Sequence, residues 1–223
     1  LAERATILPL FGPMLEASFG TMFEREILPS LAVFRDTPSG GLVVDLGCGT
    51  GVFAADAAAL GVDVIGVDPS AAMIDACRTR DPLGTATWLV GDAGSLPHSS
   101  ADLIAMMGHV AQYFVDDEEW QQTLTDCHRA LRPGGHLTFE CRNPADRAWE
   151  RWTKDATFER LQHPDGGWFE SWAEVVSITG DPDAPTETHA GHTTLPDGEH
   201  LVAHETLRFR RLDEITSALE AAG

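Results

Sequence analysis

From position 42 onward, hydrophobic residues recur in two alternating rhythms. Short runs rich in Val, Ile and Leu appear at Leu42-Val43-Val44, 62–68 (VDVIGVD), 86–90 (ATWLV), 101–107 (ADLIAMM) and 136–141 (HLTFEC). Between them lie stretches with helical spacing: 51–60 (GVFAADAAAL), closed by Gly61; 69–78 (PSAAMIDACR), with Pro69 at its start; and 116–131. The turn Pro133-Gly134-Gly135 leads into the fifth run. Strands that alternate with helices predict βαβ units, hence a parallel sheet with helices on both faces. The aliphatic strands suit burial on both sides.

The rhythm differs at either end. Upstream, a helical segment over 17–34 is closed by the turn cluster Asp36-Thr37-Pro38-Ser39-Gly40. After Pro144 the period becomes two, as in 169–179 and 201–210, with the turn Leu195-Pro196-Asp197-Gly198 between those runs. Trp149, Trp152, Trp168 and Trp172 fall in this part, which predicts a small antiparallel β unit. A closing helix follows, with Asp213 near its start and Gly223 at its C-cap. The expected fold is α/β, a Rossmann-like doubly wound and mostly parallel sheet with a small antiparallel β insertion. Its expected parts are 1–145 (helical segment plus α/β core), 146–211 (the insertion, capping an acceptor) and 212–223 (a final helix returning to the core).

Composition narrows the chemistry. With 223 residues, 43% of them hydrophobic and 8% aromatic, the chain can bury an ordinary core. No apolar run approaches the roughly 18–20 residues of a membrane span. Residues 1–14 (LAERATILPLFGPM) lack a positive cluster followed by an apolar stretch, so the expectation is a soluble, cytoplasmic protein without a membrane partner. A formal charge of −20, with Lys154 the sole lysine, disfavours nucleic acid, whose phosphates bind clustered Lys and Arg. The cysteines Cys48, Cys77, Cys127 and Cys141 show no C-x-x-C spacing and read as reduced, packed thiols.

The stretch Val43-Val44-Asp45-Leu46-Gly47-Cys48-Gly49-Thr50-Gly51 concentrates three glycines between the first strand and the first helix. Glycine inside a regular element costs roughly 0.5–1 kcal/mol relative to alanine, so the backbone there must bend or approach something closely. A glycine turn at a helix N-terminus, at the carboxyl end of a strand, suits a ligand laid along the backbone. The dinucleotide fingerprint G-x-G-x-x-G would need its third glycine at position 52, which is Val52.

The stretch instead resembles the first motif of class I S-adenosylmethionine-dependent methyltransferases. Further matches are Asp68, 23 residues past Asp45, with Pro69, Ser70 and Met73 in the family's D-x-S-x-x-M pattern; Gly91-Asp92-Ala93 after the third strand; and Leu131-Arg132-Pro133-Gly134-Gly135 before the fifth. Together these cover about residues 40–145. The resemblance implies S-adenosyl-L-methionine as cofactor. Asp45, Gly47, Cys48, Gly49, Thr50 and Gly51 would face its methionine part and ribose, and Asp68, Pro69, Ser70 and Met73 its ribose side. Gly91, Asp92 and Ala93 would face the adenine, and Met107, Gly108 and His109 the methionine part and the acceptor. Family members continue from a helix ending in Ala-Ala-Gly into a pair of edge strands; the sequence given ends at Gly223.

Methyl transfer from a sulfonium needs alignment above all, and a base only where the nucleophile must shed a proton. His109, expected just past the fourth strand, is the candidate base, since imidazole titrates near neutrality; the alternative is packing beside the cofactor. Tyr113 could orient an acceptor, and Arg142 could bind an acceptor carboxylate or serve in a structural ion pair. The four tryptophans could roof an apolar acceptor or fill the small core. His200 and His204 share a strand face, with His189 and His192 expected across from them; solvated histidines are the ordinary outcome of such spacing, so no metal is expected. The leading expectation is methyl transfer to a small-molecule acceptor, with an NAD-type oxidoreductase or a non-catalytic cofactor-binding protein as alternatives.

Overall fold

The structure, a computed structural model, describes residues 41–59, 61–162 and 167–223. The helical segment expected over 17–34, the turn at 36–40 and the end of the first helix at Leu60 lie outside the described residues. The described chain divides into two compact units, one formed by 41–111, 118–140 and 219–223, the other by 112–117 and 141–218.

The first unit carries five strands: β1 (Leu42–Leu46), β2 (Asp63–Asp68), β3 (Thr87–Val90), β4 (Ala101–Met106) and β5 (Leu131–Phe139). All pair in parallel, in the order β3-β2-β1-β4-β5, so the chain reverses direction across the sheet beside β1. Three helices connect them: α1 (Val52–Ala59), α2 (Ala71–Arg80) and α3 (Asp117–Ala130). Alternation along the strands separates two buried faces. Val43, Leu103 and Ala105 join Phe53, Ala54 and Ala57 of α1 and Ile74 and Cys77 of α2 in one core. Val44, Ile104 and Met106 are just as buried on the opposite face, as are Trp120, Leu124 and Cys127 of α3. Burial pushes the Cys127 thiol up to about 12, in keeping with an inert packed cysteine.

Several boundaries differ from the sequence reading. Pro69 precedes α2 rather than opening it: Ser70 is the N-cap, its Oγ accepting from Met73 N at 3.4 Å. The Pro133-Gly134-Gly135 turn lies within β5 as an irregularity between two paired stretches, Ala101 with Leu131 and Leu103 with His136. The strand ends at Phe139, which leaves Glu140 and Cys141 beyond it.

The second unit is a four-stranded antiparallel sheet, β6 (Glu159–Gln162), β7 (Trp168–Asp181), β8 (Ala184–Thr194) and β9 (His200–Arg208), joined in that order. A short helix, α4 (Lys154–Thr157), precedes it and α5 (Leu212–Ala222) follows. β8 escapes the sequence reading because it is built largely of Thr, His, Glu, Gly and Pro, with little aliphatic signal. The tryptophans divide: Trp149 is core, edge-on to Phe209 at 4.6 Å, whereas Trp168 is largely exposed. The histidine expectation needs correction. His192 pairs with Val202 and Thr194 with His200, which puts His192, His200 and His204 on one face. His189, three positions before His192, pairs with Glu205 and faces the other way. Among the described residues no His, Cys, Asp and Glu gather as a metal site would require. No described helix is long and apolar enough to cross a membrane.

Candidate functional site

The carboxyl ends of the parallel strands bring one acidic residue after another to a single edge. β1 enters the glycine turn, where Gly47, Gly49 and Gly51 have φ of 75°, 53° and 80°, a left-handed backbone that side-chain-bearing residues avoid. The reasons differ along the turn. A Cβ on Gly51 would fall 2.7 Å from the Trp88 ring, so that glycine is required for packing. A Cβ on Gly49 would meet nothing within 4 Å, so its conformation turns the backbone toward open space. The turn is clamped to β2: Gly47 N and Cys48 N donate to Val67 O at 2.8 and 3.0 Å, and Gly49 N donates to Asp68 Oδ2 at 3.0 Å.

Asp68 therefore joins two elements. Its other oxygen accepts from Ser70 N at 2.8 Å, fixing the start of α2. Asp92 caps a 3₁₀ turn, Ala93–Ser95, by accepting from Gly94 N at 2.9 Å, and Gly91 N is tied to Asp68 O at 3.1 Å. Met73 and Ala93 are buried, so their side chains support this edge from below.

Asp45 is the anomaly of the site. It is only 2% exposed, and its Oδ2 has no hydrogen-bond partner among the described residues. Burial pushes its carboxyl up to about 7, against an opposing backbone N–H from Ala54 and with a smaller push from the Asp68 charge. A buried carboxylate oxygen without a hydrogen-bond partner is costly, and an ammonium group is the kind of donor that would satisfy it.

Beyond β4, Met107 is buried in the core, while Gly108 and His109 adopt φ of 72° and 63°. Glu140 holds this bend: its Oε1 accepts from His109 N at 2.8 Å and lies 3.8 Å from His109 Nδ1. Sequence reasoning misses Glu140, which reads as one of 35 acidic residues. Its signal is its place directly after a parallel strand, close to where Asp68 ends β2 and Asp92 follows β3. Tyr113 and Arg142 belong to the second unit, where Arg142 Nη1 donates to Gln112 Oε1 at 3.1 Å.

Residues 43–135 match the family model described as a methyltransferase domain. An uncharacterized methyltransferase of Mycobacterium tuberculosis is 32% identical over 140 residues, 63% of this chain and 48% of that protein. The chain thus spans about half the length of the curated relatives it matches first. Among solved structures, Streptomyces venezuelae DesVI superposes with a TM-score of 0.71 at 19% identity, covering 95% of this chain and 87% of the other. CalS10, an amino pentose methyltransferase from Micromonospora echinaspora solved with S-adenosylmethionine bound, gives 0.64 at 19% identity, covering 86% and 78%. At those identities the structural likeness speaks for the fold, and the family model and the strand-end motifs speak for the family. Residues 43–135 thus match a methyltransferase domain, and the strand-end motifs around them resemble those of the class I S-adenosylmethionine-dependent methyltransferases.

Proposed function

We propose that this protein transfers the methyl group of S-adenosylmethionine to a small-molecule acceptor by direct displacement. The observation that carries the reading is the glycine turn clamped to Asp68, beside a buried Asp45 whose Oδ2 has no hydrogen-bond partner among the described residues. In this reading Asp45 and the backbone of 47–51 hold the methionine part, Asp68 with Pro69 and Ser70 binds the ribose hydroxyls, and Gly91, Asp92 and Ala93 border the adenine. The cofactor supplies an electrophilic methyl on a sulfonium. The chain's own work is to fix that ligand, keep water away and align an acceptor, and alignment alone can contribute roughly 7–11 kcal/mol. His109 is the candidate for taking a proton from the acceptor, with Glu140 holding its backbone in place. A small acceptor also fits the methyltransferases of similar fold that are named for sugars, and the acidic chain argues against RNA or DNA.

Calorimetry with S-adenosylhomocysteine and NAD tests the reading. S-adenosylhomocysteine should bind and NAD should not. Asp68→Ala should weaken the first by at least tenfold, since a charged hydrogen bond is worth about 1.5–3 kcal/mol. Tighter binding of NAD, or an unchanged affinity in Asp68→Ala, would overturn it.

A further inference from the structure

The sheet face of the second unit that bears His192, His200 and His204 also bears Glu170, Trp172 and Glu174, because Trp172 pairs with His192 and Glu170 with Thr194. Its rings are stacked. Trp172 lies 4.8 Å from His192 at an interplanar angle of 6° and 5.4 Å from His200, and the two imidazoles are 5.3 Å apart. Lys154 of α4 stands over the Trp172 ring, with Nζ 3.8 Å from its centroid. Polar contacts run through the stack from end to end. Thr194 Oγ1 is 3.1 Å from His200 Nδ1, and His200 Nε2 is 3.2 Å from His192 Nδ1. His192 Nε2 lies 3.6 Å from Glu174 Oε2, and Trp172 Nε1 donates to that same oxygen at 2.9 Å.

The carboxylate decides where the hydrogens lie. An ionised Glu174 only accepts, so His192 turns Nε2–H toward it and leaves Nδ1 as an acceptor for His200 Nε2–H. His200 Nδ1 then accepts from the Thr194 hydroxyl. A first added proton can enter at His200 Nδ1 with every contact kept, since a hydroxyl accepts as well as it donates. A second can enter only at His192 Nδ1, where it sets two N–H groups against each other. The surroundings make that step unfavourable. The His192 side chain is 19% exposed, and burial holds its imidazole below the ordinary value. Glu174 opposes that shift, while His200, Lys154 and His204 add to it.

We infer that the Thr194–His200–His192–Glu174 chain is a pH-sensitive latch on the end of the β8–β9 hairpin, closed while His192 Nδ1 is bare and released when that nitrogen takes a proton. It joins the last residues of β8 to the first of β9, beside the turn where Leu195 N donates to Glu199 O at 2.8 Å. Release leaves two imidazolium groups side by side next to Lys154. The closed hairpin holds a proton on His192 more weakly than an open one, whose imidazole has the ordinary value of 6.5. Opening therefore takes up a proton and is favoured as pH falls below about 6.5. The latch lies within the second unit and does not rest on the methyl-transfer reading.

NMR on the full chain tests the latch. At about pH 8 the imidazole nitrogen signals should show His192 with its hydrogen on Nε2, and His192 should titrate below 6.5. Hydrogen exchange between about pH 5 and about pH 8, corrected for the intrinsic rate, follows the hairpin end. Protection of Leu195 N–H should fall with acid, by up to about tenfold for each unit by which His192 titrates below 6.5. Phe209 N–H, which donates to Pro185 O at the other end of β8, should keep its protection. His192→Phe keeps a ring against Trp172 and cannot titrate, so Leu195 protection should lose its pH dependence. Glu174→Gln keeps an acceptor for Trp172 and removes the opposing charge, so His192 should titrate lower still. The latch is overturned by a hydrogen on His192 Nδ1 at about pH 8 or by titration of His192 at or above 6.5. Leu195 protection that ignores pH, or an unaltered pH response in His192→Phe, would overturn it as well.

Discussion

The parallel sheet and the antiparallel sheet place their polar chemistry in different ways. In the first unit the strands are apolar along most of their length and polar where they stop: Asp68 closes β2, Asp92 follows β3 and Glu140 follows β5. Helices cover both faces of such a sheet, so its carboxyl ends are where side chains can reach a ligand. In the second unit the polar groups stand mid-strand, with Glu187 and His189 inside β8 and Glu205 inside β9. An antiparallel sheet can leave one face partly open, and neighbouring strands then assemble a polar cluster from residues far apart in sequence. Strand ends are visible in a sequence, whereas cross-strand neighbours depend on register.

The largest expected effect tests whether the second sheet depends on a core of its own. Trp149 is 2% exposed and packs edge-on against Phe209 with Leu207 beside them, so Trp149→Ala should cost about 3–5 kcal/mol in denaturant unfolding. A loss below about 1 kcal/mol would mean that this sheet is held by something other than that cluster.

Next comes the strand-end chemistry. If His109 takes the acceptor proton, His109→Asn should lower turnover by about 10²-fold or more, while S-adenosylhomocysteine affinity moves by less than about threefold. Turnover would be measured on the acceptor found by screening transfer with the unaltered protein. Loss of both together would reassign His109 to holding the cofactor, and full activity would leave alignment as the whole of the catalysis.

The smallest effect reads Asp45 by pH. Its folded carboxyl titrates near 7, well above the ordinary carboxylate range, so the folded chain retains a proton that the unfolded chain has lost. Its contribution to stability therefore falls as pH rises from about 4 to about 7 and is flat above. Asp45→Asn should lack that slope, so the difference in melting temperature between the two proteins should carry it. Binding has the opposite sign: an ammonium group placed on Asp45 favours the ionised carboxyl, so S-adenosylhomocysteine affinity should rise by up to tenfold per pH unit below about 7 and then level off. A pH-independent affinity would separate Asp45 from the ligand's amino group.

Much of the first unit is legible in the sequence because each of its signals is local. A parallel strand buried on both faces must be a short aliphatic run, a left-handed backbone calls for glycine, and the acidic residues follow the strands by fixed short distances. Those constraints bring Gly47, Gly49, Asp68, Asp92 and His109 to notice before any coordinates. Local signals also set the limits of that reading. The turn at Pro133-Gly134-Gly135 looks like a boundary, yet β5 pairs with β4 on either side of it. Glu140 is one acid among many until its oxygen is found on His109 N.

What the sequence by itself determined is the order of elements in the α/β unit and the placing of its glycine turn and strand-end acids, because period and glycine placement act over a few residues. The tertiary structure alone decided how β8 and β9 pair. That register turned His189 away from His192 and brought it between Glu187 and Glu205, which lie 18 positions apart. A shift of one residue in pairing would send every side chain of a strand to the other face, and side-chain identity along one strand does not encode that choice.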